Sequence, residues 1–173
     1  ASLDQGSEHP LAEAIVRAAR EQKLTLSRVD SFESSTGVGV RGVIDSQPVA
    51  LGNTALMNEL GVTVAHFGVQ AEALRQQGAS VMYLTVREQL VGLIAVSDPI
   101  KASTSEALAT LRASGIRVVM ATGDGVTTAK AVATHLGIDE VYGEVKPADK
   151  LALVERFQKA GRVVAMAGDG IND

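Results

Sequence analysis

Two short stretches pair a carboxylate with glycines at what reads as the exit from a buried strand. They are "MATGDG" at 120–125 and "MAGDGIND" at 166–173. In each, an aspartate (Asp124 or Asp169) follows an apolar run through a glycine, whose missing side chain lets backbone approach a phosphate. The carboxyl end of a parallel strand is where open α/β sheets bind ligands. An aspartate at such a tip can hold Mg²⁺, which prefers a few carboxylates together with water and phosphate oxygens. One Asp-Gly pair is ordinary turn chemistry. Two in register, the second followed by Asn172 and Asp173, point to a phosphate and metal site.

Three further stretches could do chemistry. "KPADK" (146–150) precedes a helical pattern, so Lys150 falls in a first turn, where its charge opposes the helix dipole unless an anion is held there. Alone it reads as a solvated lysine. "SEHPLA" (7–12) puts Glu8 and His9 at a helix start, a place for anions and for ring stacking, although a histidine beside proline is often only a cap neighbour. "GVGVRG" (37–42) fits the dinucleotide-binding glycine pattern, but that pattern must open a helix and needs an acidic residue ~20 positions on. Here β-like "VID" follows, and Glu59 lies on a polar helix face. The stretch is a glycine-rich β turn, suited to close approach of a flat ligand or simply a bulge.

The elements that must position these residues fall into two styles. The first half opens on a helix over "SEHPLAEAIVRAAREQ", with Pro10 in its first turn and Leu11, Ile15, Ala18 and Ala19 on one face. A small antiparallel meander spans "RVDSFESSTGVGVRGVIDSQPVALG". Two amphipathic helices follow, the second with Phe67, Ala71 and Leu74 in step, and then a hairpin turning around Arg87–Gln89. From residue 98 onward strand and helix alternate. "STSEALATLRASG" is a helix with Leu108 and Leu111 inward and Gly115 as its stop. "IRVVMATGD", "VYGEV" and "RVVAMAGDG" read as strands of a parallel sheet, with helices between. The fold class is therefore α/β. An antiparallel sheet flanked by helices occupies 1–97, a parallel, Rossmann-like part occupies 98–173, and a hinge lies near Ser97–Ile100.

Composition narrows the classes of function. Apolar residues make up 46% and charged residues 21%, and the formal net charge is −4 with no Lys/Arg stripe, which argues against a nucleic-acid partner. The absence of cysteine excludes disulfides and thiolate metal sites. The longest apolar run, Leu90–Val96, is far short of the roughly 20 residues a membrane span needs. The start shows no signal-peptide pattern and reads as entry into a chain already in progress.

Taken together, "SEHPLAEAI", "GVGVRG", "LGN", "SDPIK", "TGDG", "KPADK" and "GDGIND" follow the order and spacing of the cytoplasmic ATP-binding region of heavy-metal P-type ATPases. The sequence resembles that family along essentially its whole length, and looks most like the copper(I)-exporting branch. The resemblance implies an ATP-binding N domain over 1–97 and part of a phosphorylation (P) domain of haloacid-dehalogenase type over 98–173. By motif match, Glu8, His9, Gly37, Gly39, Gly52 and Asn53 would line the adenine pocket. Asp98 and Lys101 would belong to the hinge, Thr122–Asp124 to the phosphate-side loop, Lys150 to the phosphoryl group, and Asp169 and Asp173 to Mg²⁺. Gly125 departs from the pattern, since many members carry Asn there. A larger departure is that no "DKTGT", the segment with the phosphorylated aspartate, occurs in these residues. The resemblance thus implies one piece of a pump. The piece would lie on the cytoplasmic face of a membrane, with ATP, Mg²⁺ and the rest of the pump as partners, and would be inactive alone.

Two other classes compete. A haloacid-dehalogenase phosphatase acting alone lacks the same nucleophile and leaves "SEHP" without a purpose. A non-catalytic nucleotide-binding module is separated from the pump reading by transmembrane segments and an upstream DKTGT in the encoding gene.

Overall fold

The computed structural model describes residues 1–97 and 99–168. The chain divides into two compact units, Ala1–Pro99 and Ile100–Asp173.

The first unit is built on a five-stranded antiparallel sheet in sequential order: β1 (Asp30–Ser35), β2 (Gly39–Ile44), β3 (Gln47–Gly52), β4 (Ser80–Val86) and β5 (Gln89–Val96). Two of the four connections are two-residue turns, which join antiparallel neighbours. Asp45–Ser46 and Arg87–Glu88 are such turns, with φ of 49° and 63° and of 52° and 61°. Positive φ at both central residues matches the strand twist, although neither turn contains glycine.

Alternation along the strands gives the sheet two apolar faces. Val40, Leu51, Leu84 and Ile94 pack with Leu3 and with Ile15 of α1 (Pro10–Glu21). Ala50, Val81 and Tyr83 point the other way, onto Leu56 and Met57 of α2 (Thr54–Glu59) and Ala71 of α3 (Gly68–Gln76). Phe67 and Leu74 join that second cluster, as their spacing with Ala71 requires. The buried face of α1 is Ala12, Ile15, Val16 and Ala19. The expected face differs by part of a turn: Ala18 is exposed and Leu11 is half-buried. The larger Val16 takes the inner position because it buries more apolar surface than Ala18 could.

The second unit runs α4 (Thr104–Ala113), β6 (Val119–Ala121), α5 (Val126–Leu136), β7 (Glu140–Tyr142) and α6 (Pro147–Lys159). β6 and β7 are parallel, with Ala121 opposite Tyr142, and α5 is the helix that such a crossover demands. Gly137 closes α5 at φ 65°, and Arg112 of α4 donates to the carbonyls of Leu136 (2.8 Å) and Gly137 (2.6 Å). Leu108 is buried as expected, whereas Leu111 is 38% exposed. The strand expected over "RVVAMAGDG" is absent among its described residues, 162–168. A strand persists only where its N–H and C=O groups have a ladder partner, and β6 and β7 are the strands that pair in this unit among the described residues.

Candidate nucleotide and phosphate sites

In the first unit, His9 is the N-cap of α1. Its Nδ1 accepts from the Leu11 N–H at 3.2 Å, and Pro10 occupies the first helical position, where no N–H is needed. Nδ1 is thereby committed, and Nε2 and the ring face of this exposed side chain are left for other contacts. Glu8 beside it is exposed as well.

The other expected residues meet at one corner of the sheet. Gly39 stands opposite Gly52 in the β2–β3 ladder. Asn53 caps α2, with Oδ1 accepting from Ala55 N (2.9 Å) and Leu56 N (3.2 Å). Its Nδ2 donates to the Gly37 carbonyl at 2.7 Å, which ties the 36–38 turn to the helix. Gly37 has φ +72° and nothing within 4 Å of where a Cβ would stand. Side chains on Gly39 and Gly52 would instead strike Leu56 Cδ2, at 2.9 Å and 2.5 Å, on the α2 face of the sheet. Both glycines have a packing reason to be glycine.

Sequence reasoning passed over Asp4. It lies in a 3-10 turn (Leu3–Gly6) just before "SEHP" and is 5% exposed. Its Oδ2 is 3.0 Å from the Ala1 ammonium yet makes no hydrogen bond. Its signal in the sequence was faint, because one acid in "ASLDQG" looks like surface.

In the second unit, Thr122–Gly125 leads from β6 into the N-terminus of α5. Thr122 Oγ1 donates to Asp124 Oδ2 (2.9 Å) and accepts from the Asp124 N–H (3.1 Å). Residues 142–145 hold this loop from the side. Thr122 N donates to Tyr142 O (2.9 Å), Val145 N to Thr122 O (2.9 Å) and Glu144 N to Asp124 O (2.7 Å). The same segment continues into α6, which carries half-buried Lys150 in its first turn. There Asp149 accepts from Lys146 N at 3.1 Å and offsets the unfavourable placement of the lysine. The structure therefore connects Thr122, Asp124 and Lys150 through one short stretch of backbone. Lys101 is exposed, and its carbonyl starts α4 by accepting from Thr104 N at 2.9 Å. Asp98, Asp169 and Asp173 lie outside the described residues, among which no group of three His, Asp or Glu could hold a metal. The carboxylates expected for Mg²⁺ fit it in donor type, being hard oxygen ligands.

At the start of β7, Glu140 Oε1 accepts from the Tyr142 hydroxyl at 2.5 Å and Oε2 pairs with Arg117 at 2.5 Å, while Arg156 also bonds the Tyr142 hydroxyl. The Tyr142 bond foremost, then Arg117, Arg156 and Arg162, hold the Glu140 carboxyl below its ordinary range against the opposing effect of burial.

Sequence comparison places this geometry in a family. The model for haloacid dehalogenase-like hydrolases matches residues 1–173. The chain belongs to the haloacid dehalogenase-like hydrolases. Among these, it is 49% identical over its whole length to a copper-transporting P-type ATPase of Rhizobium leguminosarum bv. viciae, covering 21% of that protein. It is 50% identical to a copper-exporting P-type ATPase of Legionella pneumophila subsp. pneumophila, covering 24% of it. Identity to a silver-exporting P-type ATPase of Salmonella typhimurium is 46%, over 21% of that protein. The chain thus spans about a fifth to a quarter of the length of these relatives. A zinc-transporting PIB-type ATPase in an E2.Pi state superposes with a TM-score of 0.64 at 30% identity, over 99% of this chain and 27% of that one. The fold is shared with the catalytic domain of the CPx-ATPase CopB-B, at TM-score 0.68 and 24% identity, over 99% of this haloacid dehalogenase-like chain and 60% of that domain.

Proposed function

We propose that this chain is the ATP-binding and phosphoryl-handling part of a heavy-metal P-type ATPase that exports copper(I). The observation that carries the reading is full-length identity of 49% and 50% to copper pumps, in a chain whose phosphate-side loop and lysine-bearing helix are joined by one backbone segment. In the proposed mechanism ATP binds the first unit. Glu8, His9, Gly37, Gly39, Gly52 and Asn53 surround the nucleotide. The second unit handles the phosphoryl group. Thr122 orients Asp124 in the loop that faces the phosphate, and Lys150 supplies positive charge. Asp169 and Asp173 would hold Mg²⁺, which when bound neutralises charge developing on the phosphates. The phosphoryl acceptor is an aspartate outside these 173 residues, and Asp98–Lys101 serve as the hinge that lets the units close. The partners are ATP and the remainder of the pump, with the piece on the cytoplasmic face of the membrane and no nucleic acid involved.

Calorimetric titration of this chain with ATP tests the reading. ATP binds without needing Mg²⁺, because the pocket and the metal residues lie in different units. His9→Gln, which removes the imidazole, weakens binding. Equal affinity for the two proteins, or no binding at all, would overturn the assignment.

A further inference from the structure

Arginines gather at one end of the second unit. Arg117 leads into β6, Glu140 and Tyr142 belong to β7, and Arg156 and Arg162 stand on either side of the end of α6. Arg117 pairs with Glu140 Oε2 at 2.5 Å, while Arg156 bonds the Tyr142 hydroxyl and lies 3.8 Å from Glu140 Oε1. Arg156 also covers the Tyr142 and Phe157 rings, each 5.2 Å from its guanidinium carbon, and Arg162 covers Phe157 at 5.7 Å. Among the described residues Arg162 meets no carboxylate within pairing distance. Glu140 can neutralise one of these charges, and Arg117 and Arg156 remain 56% and 57% exposed. Exposed Asp139 shares a cleft with Arg112 and Arg117, and Glu155 is taken by Lys159 at 3.5 Å, so positive charge stays in excess.

Helix dipoles account for part of this placement, because Arg112 and Arg156 stand in the last turns of α4 and α6, where cations are favoured. Arg117 and Arg162 lie beyond those helices, and that account does not reach them. In a chain of net charge −4, a local excess of cations marks a surface for an anion. We infer that this end of the second unit docks on the anionic headgroups of a lipid bilayer, with Arg117, Arg156 and Arg162 as the phosphate contacts. The inference rests on the reading of the chain as part of a membrane pump. Arg117 precedes Thr122 by roughly 16 Å of extended chain, so the arginines stand at the opposite end of the sheet from the phosphate-side loop. On that reading the loop end stays open to nucleotide, and the arginine end is left to face the rest of the pump and its membrane. Ile116, 50% exposed, stands beside Arg117, and with Arg112 and Ile138 these residues line a cleft of about 270 Å³. Guanidinium forks grip phosphate oxygens, and aliphatic side chains beside them suit the glycerol and acyl layer beneath. An acidic protein segment would match the charge and leave Ile116 in water.

The test sediments the 173-residue chain with vesicles. Expected are binding to phosphatidylcholine mixed with phosphatidylglycerol, none to phosphatidylcholine alone, and release as salt is raised. Removing one arginine weakens binding about fivefold. Arg156→Gln and Arg162→Gln should show that loss, and Arg162→Lys, which keeps the charge, should not. Arg20→Gln, the same change of charge at an exposed position of α1, leaves binding as it was. Short-chain phosphatidylglycerol added to the labelled wild type should shift amide signals around residues 117, 156 and 162, which decides the matter if the variants fail to fold. Equal binding to both kinds of vesicle, unchanged binding in folded Arg162→Gln, or an equal loss in Arg20→Gln overturns the inference. Binding of inorganic tripolyphosphate without binding of vesicles also overturns it, since that marks a site for a free anion. ATP titration of the same protein is scored separately: a wild type that binds vesicles but no ATP overturns the nucleotide reading of the first unit and supports the docking surface.

Discussion

Gly39 and Gly52 face each other across the β2–β3 ladder, and Leu56 of α2 fills the space a side chain on either would need. A Cβ on Gly52 would lie 2.5 Å from both Leu56 Cδ2 and the Val38 carbonyl oxygen. Leu56 is 2% exposed and has little room to withdraw. Gly52→Ala is therefore expected to destabilise the first unit by about 1–3 kcal/mol through overpacking, read from urea unfolding followed by circular dichroism. Gly37 provides the contrast, because it has open space around it and φ +72°. Gly37→Ala should cost about 1–2 kcal/mol from the left-handed backbone alone, and Gly37→Asn less, since asparagine visits that region more readily. Equal stability of Gly52→Ala and wild type would remove the packing explanation.

Asn53 makes bonds in two directions, capping α2 and holding the Gly37 carbonyl at 2.7 Å. Loss of an N-cap of this type costs about 0.5–2 kcal/mol. Asn53→Ala should show that loss, and Asn53→Asp should recover most of it because the carboxylate still caps the helix. Only the amide can donate to Gly37, so hydrogen exchange in the 36–38 turn should accelerate in both variants. Protection of that turn in Asn53→Asp equal to wild type would show that the tether does not order it.

Much of this arrangement could be read from the residues, and the exceptions have identifiable causes. The α1 start was legible because Pro10 and a capping side chain act within one turn. The hairpin at Arg87–Glu88 was legible because two β-branched runs can join only where polarity interrupts them. Leu111 was misread because helical spacing with Leu108 says that two residues share a face, not that the face is covered; Leu111 is 38% exposed. Residues 162–168 were misread because apolar composition reports a willingness to pair, and a ladder needs a partner from elsewhere in the chain. Gly39 and Gly52 were noticed for their type, but their contact with Leu56 is a relation between elements that no local pattern carries. Asp4 escaped for the same reason, since its burial is decided by how the 3-10 turn meets the sheet.

The Glu140 cluster predicts an acid-sensitive second unit. The carboxyl titrates below the 4.5 of an ordinary glutamate in the folded chain, held there first by the Tyr142 hydroxyl and then by Arg117 and Arg156. On acidification the unfolded chain takes up this proton before the folded one does. The contribution to stability is complete above the unfolded value and is lost as pH falls through the folded value. Melting temperature should drop as the wild type is acidified through and below the ordinary glutamate value of 4.5, and the drop should be shallower in Glu140→Gln, whose overall stability is lower at neutral pH. Parallel pH profiles for the two proteins would show that Glu140 is not the titrating group.

The chain by itself is expected to bind ATP and not turn it over. Thr122 and Asp124 are held by their mutual bonds and by residues 142–145, and Lys150 lies near the start of α6; on the proposed reading these groups stabilise charge on a phosphoryl group. Stabilising groups lower a barrier only once the reacting atoms have been brought together. No Asp-Lys-Thr-Gly-Thr segment occurs in the 173 residues, so no aspartate of that type is available to take the phosphoryl group. Incubation with γ-labelled ATP should leave the chain unlabelled after acid quench, and phosphate release should match a buffer blank. Supplying the rest of the pump in one polypeptide should produce an acid-stable, hydroxylamine-sensitive label that Lys150→Ala reduces. Label on the isolated chain would mean that one of its own side chains attacks ATP, and the proposed division of labour between this piece and the remainder of the pump would have to be abandoned.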